Sequence, residues 1–220
     1  MGSRRPLVTD LPALVPVFPV PGALLLPGGR LPLTVFEQRY MALIDDAMGV
    51  GRLFGMVQPA EGGGEGAAHG LFRVGCLGRV SSFAETGDGR YLVTVQGLCR
   101  FDVLGEAEGR AGYRRLKVDY RPYAADLDEQ PPPPLIDRDR LMSSVRAYFA
   151  DHGIAVNWAV LDEAADLVVV TTLAMTCPFS PEEKQALLEA GTVAERAAMM
   201  TAMIEMSLLS ERTGGTMPVH

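Results

Sequence analysis

The chain has 220 residues, of which 48% are hydrophobic and 21% charged, and its formal net charge is −7 at pH 7. This composition is typical of a globular protein with a core, and the acidic balance works against general binding to nucleic acid or to anionic lipid. No apolar run approaches the roughly 20 residues of a membrane-spanning helix, and the N-terminal residues lack the pattern of a signal peptide. We therefore expect a cytoplasmic protein without a membrane partner.

The first half of the chain consists of short apolar segments separated by glycine and proline, which predicts a small, strongly curved β-domain. In the segment from Thr86 to Gly89, the dipeptide Asp88-Gly89 favours the positive φ angles of a tight hairpin turn. Gly97 is expected to end a strand. The predicted strands cover residues 15–18, 31–35, 53–57, 72–83, 91–95, 98–104 and 115–123.

One helix interrupts this β-region, and it is expected to lie across a barrel mouth or a sheet face. Its apolar residues recur at helical spacing, and Gly49 follows the last of them. They are Phe36, Tyr40, Leu43, Ile44, Ala47 and Met48.

Two polar or irregular segments divide the rest of the chain. Residues 60–68 contain four glycines and no large apolar side chain, which predicts a mobile loop. Four prolines, Pro131 to Pro134, favour a stiff spacer over the alternative of a ligand for an SH3-like partner. The expected organisation is a β-domain over 1–128, a linker over 129–136, a helical domain over 137–212 and a flexible tail over 213–220.

The periodicity beyond the prolines is helical. It predicts four helices over residues 137–152, 161–175, 180–189 and 192–209, and the last two begin with Ser-Pro-Glu-Glu and Thr-x-x-Glu capping patterns. Met199, Met203 and Met206 lie on one side of the last helix. Such a stripe is typical of a bundle core, and an adaptable hydrophobic groove is the alternative.

The residues that carry chemistry in enzymes form no catalytic pattern here. The histidines His69, His152 and His220 have no triad context, and no GxSxG, HExxH or phosphate-loop motif occurs. The three cysteines are widely spaced among apolar residues, which favours buried free thiols over a metal site; they are Cys76, Cys99 and Cys177. We expect no catalytic activity, no cofactor and no metal.

Several motifs in chain order resemble the N-terminal, substrate-binding domain of the Lon protease family. Each motif is weak alone, but together they extend over about a hundred residues. They are Val17-Phe18-Pro19-Val20-Pro21-Gly22, Leu26-Pro27-Gly28-Gly29, Leu31-Pro32-Leu33, Phe36-Glu37-Gln38-Arg39-Tyr40, Phe54-Gly55, Val74-Gly75-Cys76, Asp88-Gly89-Arg90-Tyr91, Gln96-Gly97 and Arg100-Phe101, followed less sharply by Phe179-Ser180 and Glu183 to Glu189.

This resemblance implies an α+β fold, a PUA-like pseudo-barrel β-domain with one inserted helix, followed by a C-terminal helical bundle. It further implies a stand-alone form of the domain, without the ATPase and peptidase modules of Lon. The family's motif residues also have a structural interpretation, in which Phe36, Tyr40 and Phe101 pack in the core.

The leading hypothesis is a non-catalytic module that binds exposed apolar segments of unfolded or partly unfolded polypeptides through sheet edges and a groove between the β-domain and the helices. A protease or chaperone is a candidate partner. Phe18, Leu25, Phe36 and Arg39, near the strand-to-helix junction, are the candidate groove residues. RNA binding through the PUA-like fold is the alternative, and it requires eight arginines to cluster on one face. They are Arg30, Arg39, Arg73, Arg79, Arg90, Arg100, Arg114 and Arg115. A purely structural or assembly subunit is the third hypothesis.

Overall fold

The computed structural model describes residues 7–60, 70–128 and 131–214. The described residues form two compact units, one reaching to Pro131 and including Met175–Glu189, the other comprising Pro132–Ala174 and the residues from Ala190 onward. The expected mobile loop, apart from Ala60, lies outside the described residues. The histidines at 69 and 220, linker residues 129 and 130, and tail residues 215–220 lie outside them too. The domain boundaries expected from the sequence stay a prediction.

The elements of the described residues alternate between strands and one helix in the first half of the chain and are helical in the second half. In chain order they are β1 Leu14–Pro19, β2 Arg30–Val35, α1 Gln38–Gly49, β3 Leu53–Val57, β4 Val74–Glu85, β5 Tyr91–Arg110, β6 Tyr113–Asp119, α2 Arg138–Asp151, α3 Trp158–Glu163, α4 Asp166–Thr176, α5 Pro181–Glu189 and α6 Val193–Gly214. Short 3₁₀ segments cover Val8–Asp10 and Arg121–Leu127.

The strands form one mixed sheet in the order β2-β5-β4-β3-β1-β6, and β6 also pairs with β5. This last pairing closes a ring of β5, β4, β3, β1 and β6, while β2 is added to the first half of β5. The β1–β3 pair is parallel and the other pairs are antiparallel. The α+β pseudo-barrel with one inserted helix and C-terminal helices is thereby confirmed.

The 20-residue strand β5 replaces two strands that the sequence predicted on either side of Gly97. Gly97 does not end the strand; it lies where another stretch of backbone crosses the sheet. The amide of Gly28 donates to the carbonyl of Gly97 at 3.0 Å, and the amide of Gly97 donates to the carbonyl of Gly29 at 2.9 Å. A side chain at residue 97 would overlap the backbone of Leu26, so only glycine fits.

Replacing Gly97 by alanine is therefore expected to lower the free energy of unfolding by about 1–3 kcal/mol, because the crossing backbone must move. Gly105 lies on the same strand, and nothing lies within 4 Å of a Cβ added there. Urea unfolding of Gly97→Ala and Gly105→Ala measures the difference. Equal stabilities of the two variants would contradict the close crossing.

The barrel interior is filled by apolar side chains around Phe101, which is fully buried. Its ring occupies the space over two glycines: a Cβ added at Gly55 or Gly75 would lie 2.9 or 2.6 Å from the Phe101 Cζ. The expected core position of Phe101 is confirmed. The neighbouring core residues include Val15, Val17, Val57, Leu71, Leu77, Cys99, Val103, Leu116 and Val118.

Helix α5 is attached to the barrel by buried polar side chains rather than by apolar contacts alone. The Gln58 amide donates to the Pro181 carbonyl at 3.1 Å and to the Gln185 side-chain oxygen at 3.2 Å. The Gln185 amide in turn donates to the Val74 carbonyl at 3.1 Å. Both glutamines are 2% exposed. Because their bonds are made inside the protein, burying them carries no unsatisfied-group penalty.

Arg100 forms a second polar attachment of α5. Its guanidinium makes two hydrogen bonds of 2.9 Å to the Asp126 carboxylate, and it donates to the Leu188 carbonyl at 3.1 Å. The side chain is 7% exposed. Burial alone would lower the pKa of Arg100, but the hydrogen bonds to Asp126 and the attraction of its charge, with smaller contributions from neighbouring groups, together hold the pKa above its ordinary value.

The predicted hairpin turn is present between β4 and β5. The Thr86 amide donates to the Arg90 carbonyl at 2.9 Å, and Gly89 has a φ of +78°. Asp88, in contrast, keeps a negative φ, so only the glycine of the pair supplies the left-handed conformation.

In the second unit, the single helix predicted over residues 161–175 is instead two helices, α3 and α4. The chain is extended at Ala164, and the Arg138 guanidinium donates to the carbonyls of Leu161, Asp162 and Ala164 at 2.8–2.9 Å. These bonds supply donors to carbonyls at the C-terminal end of α3, which stabilises the break. Elsewhere in this unit, α2 packs on α6, where Arg140 holds Glu205 at 2.7 Å.

Candidate functional site

Helix α1 and the hairpin that joins β5 to β6 build a candidate site in the first unit. The helix begins after Glu37 and buries Leu43, Ile44 and Ala47. It packs against β1, β3 and β6. On β1, Val15 and Val17 are buried in the barrel core, so the alternating residues Leu14 and Pro16 lie on the other face of the strand.

An open pocket of about 430 Å³ lies at the C-terminal end of α1, and we call it the α1 pocket. Most of its wall is apolar. The apolar lining consists of Leu11, Pro12, Leu14, Pro16, Ala47, Val50 and Leu53, and the other lining residues are Asp10, Asp46, Gly51, Arg110, Tyr113 and Arg115. Val50 is 78% exposed and Leu14 40% exposed, so large apolar surface faces solvent here.

One wall of the α1 pocket is polar and centred on Asp46. The Tyr113 hydroxyl donates to Asp46 Oδ2 at 2.6 Å, and Arg110 Nε lies 3.1 Å from the same oxygen. Burial, together with this hydrogen bond to a carboxylate, raises the pKa of Tyr113 to about 12, so the tyrosine stays protonated at neutral pH. The turn between β5 and β6 brings this wall into place, with positive φ at Ala111 and Gly112.

This arrangement suits binding rather than catalysis. The volume lies in the range of small-ligand pockets, and an apolar surface with a few fixed polar groups is typical of recognition sites. These polar groups already have hydrogen-bond or ionic partners. Tyr113 and Arg110 bind Asp46, and Arg115 donates to the Glu108 carbonyl at 2.7 Å. An apolar side chain of a partner can therefore enter without leaving these groups unpaired.

Two of the four residues expected to line a peptide groove lie in the core. Phe18 is 8% exposed, and its ring stacks on Tyr40 with centroids 4.1 Å apart. Leu25 is 2% exposed and fills the space over Gly78, where an added Cβ would lie 2.9 Å from its methyl group. Neither side chain offers a surface to a partner in this conformation.

The other two residues, Phe36 and Arg39, are exposed at the N-terminal end of α1. Phe36 is 66% exposed, so the expectation that it packs in the core is wrong, since α1 begins only after Glu37. Arg39 pairs with Glu37 at 2.6 Å, and its guanidinium lies 5.0 Å from the centre of the Tyr40 ring. Arg39 and Phe18 thus both contact the Tyr40 ring, whereas Leu25 packs beside Gly78.

The α1 pocket was not identified from the sequence. Its residues come from segments 10–16, 46–53 and 110–115, which only the barrel pairing and α1 bring together. Two local signals were present: Val50 is an apolar residue directly after the helix-ending Gly49, and Ala111-Gly112 is a tight turn.

Most of the eight arginines singled out for the RNA-binding hypothesis are not free to bind phosphate. Five pair with carboxylates, in the pairs Arg39–Glu37, Arg73–Asp102, Arg90–Asp88, Arg100–Asp126 and Arg114–Glu106. Arg100 is also buried. Arginines already neutralised by neighbouring carboxylates are poor phosphate ligands, which argues against this hypothesis.

The cysteines are free and buried, as the sequence predicted. Burial raises the pKa of Cys99 and of Cys177 to about 12, and it raises the pKa of Cys76 as well, so the thiols stay protonated. Across residues 7–60, 70–128 and 131–214, no group of three or more His, Cys, Asp or Glu side chains is placed to hold a metal ion. No helix in the described part of the chain is long and apolar enough to cross a membrane.

Comparison with known proteins gives a match along nearly the whole chain. The family model of the ATP-dependent protease La (LON) substrate-binding domain matches residues 14–206. The chain belongs to this family. Its barrel, α1, α5 and most of α6 all lie within the matched residues, as do most of the residues that line the α1 pocket.

Among curated proteins, the chain is similar to Lon protease of Anaeromyxobacter dehalogenans, with 41% identity over 112 residues. It is also similar to Lon protease 2 of Myxococcus xanthus, with 37% identity over 112 residues. Each match covers 50% of this chain and 13% of the relative. The chain thus corresponds to a small part of these proteases.

Solved structures show the same fold. The Lon N-terminal domain protein from Xanthomonas campestris matches with a TM-score of 0.59 at 22% identity, covering 86% of this chain and 97% of that one. The N-terminal domain of the Mycobacterium avium complex Lon protease matches with a TM-score of 0.60 at 17% identity, covering 87% and 98%. At these identities the likeness supports the fold alone.

Proposed function

We propose that this chain is a non-catalytic recognition module that binds exposed apolar segments of unfolded or partly unfolded polypeptides, and that the α1 pocket receives an apolar side chain of the bound segment. The observation that carries the proposal is the open, mostly apolar α1 pocket within a substrate-binding domain. Val50 and Leu14 expose apolar surface at its mouth. A contiguous exposed apolar patch is a common feature of interaction sites.

The energetics of the α1 pocket favour weak, exchangeable binding. Burying one large aliphatic or aromatic side chain contributes about 1.5–3 kcal/mol, which is offset in part by the loss of chain freedom on binding. A single pocket therefore holds a segment only loosely. Such a site suits a module that samples many polypeptides and selects those with exposed apolar residues.

Phe36 and Arg39 supply a second contact for the same segment. They lie at the N-terminal end of α1, and Val50 follows its C-terminal end. A 12-residue helix is about 18 Å long, a distance that an extended peptide of about six residues covers. We propose that a bound segment runs along α1, with one apolar residue in the α1 pocket and another against Phe36.

Replacing Val50 by asparagine is expected to weaken binding of an apolar, unfolded peptide by about three- to tenfold, because it removes apolar surface from the mouth of the α1 pocket. Val50 is the residue after the last turn of α1, where asparagine is compatible with the backbone. Fluorescence anisotropy with a labelled peptide measures the affinity, and peptide cleavage is followed in the same samples.

Val160→Asn is the matched control, because Val160 is 62% exposed and does not line the α1 pocket. Phe36→Ala tests the second contact in the same assay. The proposal predicts weaker binding for Val50→Asn and Phe36→Ala, unchanged binding for Val160→Asn and no cleavage in any sample. Equal affinities of the Val50 and Val160 variants would rule out the α1 pocket as the binding site, and cleavage would overturn the non-catalytic assignment.

A further inference from the structure

A second exposed surface lies on the sheet formed by β2, β5 and β4. Arg30 of β2 and Arg79 of β4 both lie opposite Gln96 of β5 in the strand register, so the three side chains form one row across adjacent strands. Thr94 lies two positions before Gln96 on β5, and it is opposite Pro32 on β2 and Ser82 on β4. These three residues form a second row on the same face. We call these two rows the open face; its residues are Arg30, Pro32, Arg79, Ser82, Thr94 and Gln96.

The open face is directed to solvent, whereas the opposite face of the same strands is in the core. Arg30, Pro32, Arg79 and Ser82 are exposed, and Gln96 and Thr94 are half-buried. The intervening residues Val93 and Val95 are 2% and 0% exposed. This alternation is that of a sheet with one buried and one solvated face.

Arg30 and Arg79 differ from several other arginines of the barrel. Within the part of the chain that the structure describes, neither pairs with a carboxylate, although Arg39, Arg73 and Arg114 all do. Their strands are separated by β5, so their side chains start about 10 Å apart. Gln96 lies between them and offers an amide. Two unpaired guanidinium groups flanking an amide form a positively charged row in an acidic protein.

We propose that the open face binds acidic segments of polypeptides, with Arg30 and Arg79 each holding a carboxylate of the bound segment. Arginine binds carboxylates through two parallel N–H donors, a geometry that gives both orientation and affinity. Carboxylates two residues apart on an extended chain are about 7 Å apart and lie on one side. The long arginine side chains reach both, while Thr94 and Ser82 supply hydroxyl groups beside them.

An acidic polypeptide fits the open face better than nucleic acid does. Nucleic-acid sites need a basic track that follows several phosphates, whereas this face has two arginines on a chain of net charge −7. The choice of a polypeptide ligand rests on the function proposed above. The open face and the α1 pocket share no residue, since none of the residues of the open face lines the pocket.

The test uses two peptides of about 12 residues, both rich in Ser, Thr and Gly and free of large apolar residues, labelled with a neutral dye. One carries two Glu residues separated by one position, and the other has Gln at both positions. We expect the Glu peptide to bind about tenfold more tightly at low salt. The double variant Arg30→Gln/Arg79→Gln should lose this preference, and about 0.5 M salt should reduce it.

The control variant Arg90→Gln/Arg121→Gln removes the same charge from two exposed arginines that pair with Asp88 and Asp119. It should keep the preference for Glu. Equal binding of the two peptides to the wild-type chain overturns the proposal, as does an equal loss in both double variants. Tighter binding of a single-stranded RNA of the same charge overturns it in favour of nucleic acid.

A third peptide, neutral and apolar, separates the two proposals. If it binds the wild-type chain while the Glu and Gln peptides bind equally, the open-face proposal fails and the α1 pocket proposal stands. If the Glu peptide binds through Arg30 and Arg79 while the apolar peptide does not bind, the open-face proposal stands and the apolar-recognition function fails.

Discussion

Phe101→Ala is expected to lower the free energy of unfolding by about 3–5 kcal/mol, a large share of the stability of a domain of this size. The ring is fully buried and lies against Gly55 and Gly75, which have no side chains to move into the space it leaves. The truncation therefore leaves a cavity that collapses poorly. Urea unfolding followed by circular dichroism measures the loss.

Phe36→Ala is the matched control for this prediction, because the same truncation is made at a ring that is 66% exposed. Its effect on stability should stay within about 0.5 kcal/mol. A small loss for Phe101→Ala, or equal losses for the two variants, would mean that Phe101 does not fill the barrel interior. The comparison also separates the role of Phe36 in binding from any role in folding.

Arg100→Met is expected to destabilise the chain by about 3–5 kcal/mol. The substitution leaves the Asp126 carboxylate, which is 11% exposed, without its guanidinium partner, and it removes the donor to the Leu188 carbonyl. The cost arises from an uncompensated buried charge rather than from the loss of attraction alone. Chemical unfolding, with proteolysis as a probe of α5 detachment, measures the effect.

Two further variants test the cause. Arg121→Met removes an exposed arginine that pairs with Asp119 at 2.7 Å, and it should change stability little. Adding Asp126→Leu to Arg100→Met should restore part of the lost stability, because the unpaired charge is then absent. Equal effects of Arg100→Met and Arg121→Met would contradict the buried attachment of α5, and the absence of any rescue would contradict the assigned cause.

The parts of the fold that were predicted from the sequence depend on local patterns. The Asp88-Gly89 turn, the helix beginning near Glu37 and the Ser180 cap were each indicated by neighbouring residues, and the structure has all three. The core position of Phe101 followed from the structural interpretation of the motif residues. Each of these features is determined by residues close together in the sequence, where intrinsic propensity and residue spacing are most informative.

The features that were missed depend on residues far apart in the chain. Gly97 was expected to end a strand, but it is required in the middle of β5 because the backbone near Leu26 crosses there. Gln58 and Gln185 are separated by 127 positions, yet they share a hydrogen bond. Arg138 stabilises the break between α3 and α4 from another helix. No local pattern reveals such contacts, because tertiary contacts override local preference.

The candidate site shows the same division. The four residues expected to line a groove do not share one surface: Phe18 and Leu25 are buried, whereas Phe36 is exposed. The α1 pocket depends on closure of the barrel, which brings β1 and the β5–β6 hairpin beside the end of α1. Local sequence therefore predicted helix α1, whereas the pocket at its end became visible only in the folded chain.

The central claim is that the α1 pocket receives an apolar side chain of a bound polypeptide, and photo-crosslinking tests it most directly. An unfolded peptide carrying a photoreactive phenylalanine analogue at its single large apolar position is irradiated with the wild-type chain, and the crosslinked residues are mapped by mass spectrometry. We predict crosslinks to Leu14, Val50 and Leu53, and a lower crosslinking yield at Leu14 and Leu53 in Val50→Asn at peptide concentrations below saturation. Crosslinks confined to residues that do not line the α1 pocket, unchanged in Val50→Asn, would contradict the claim.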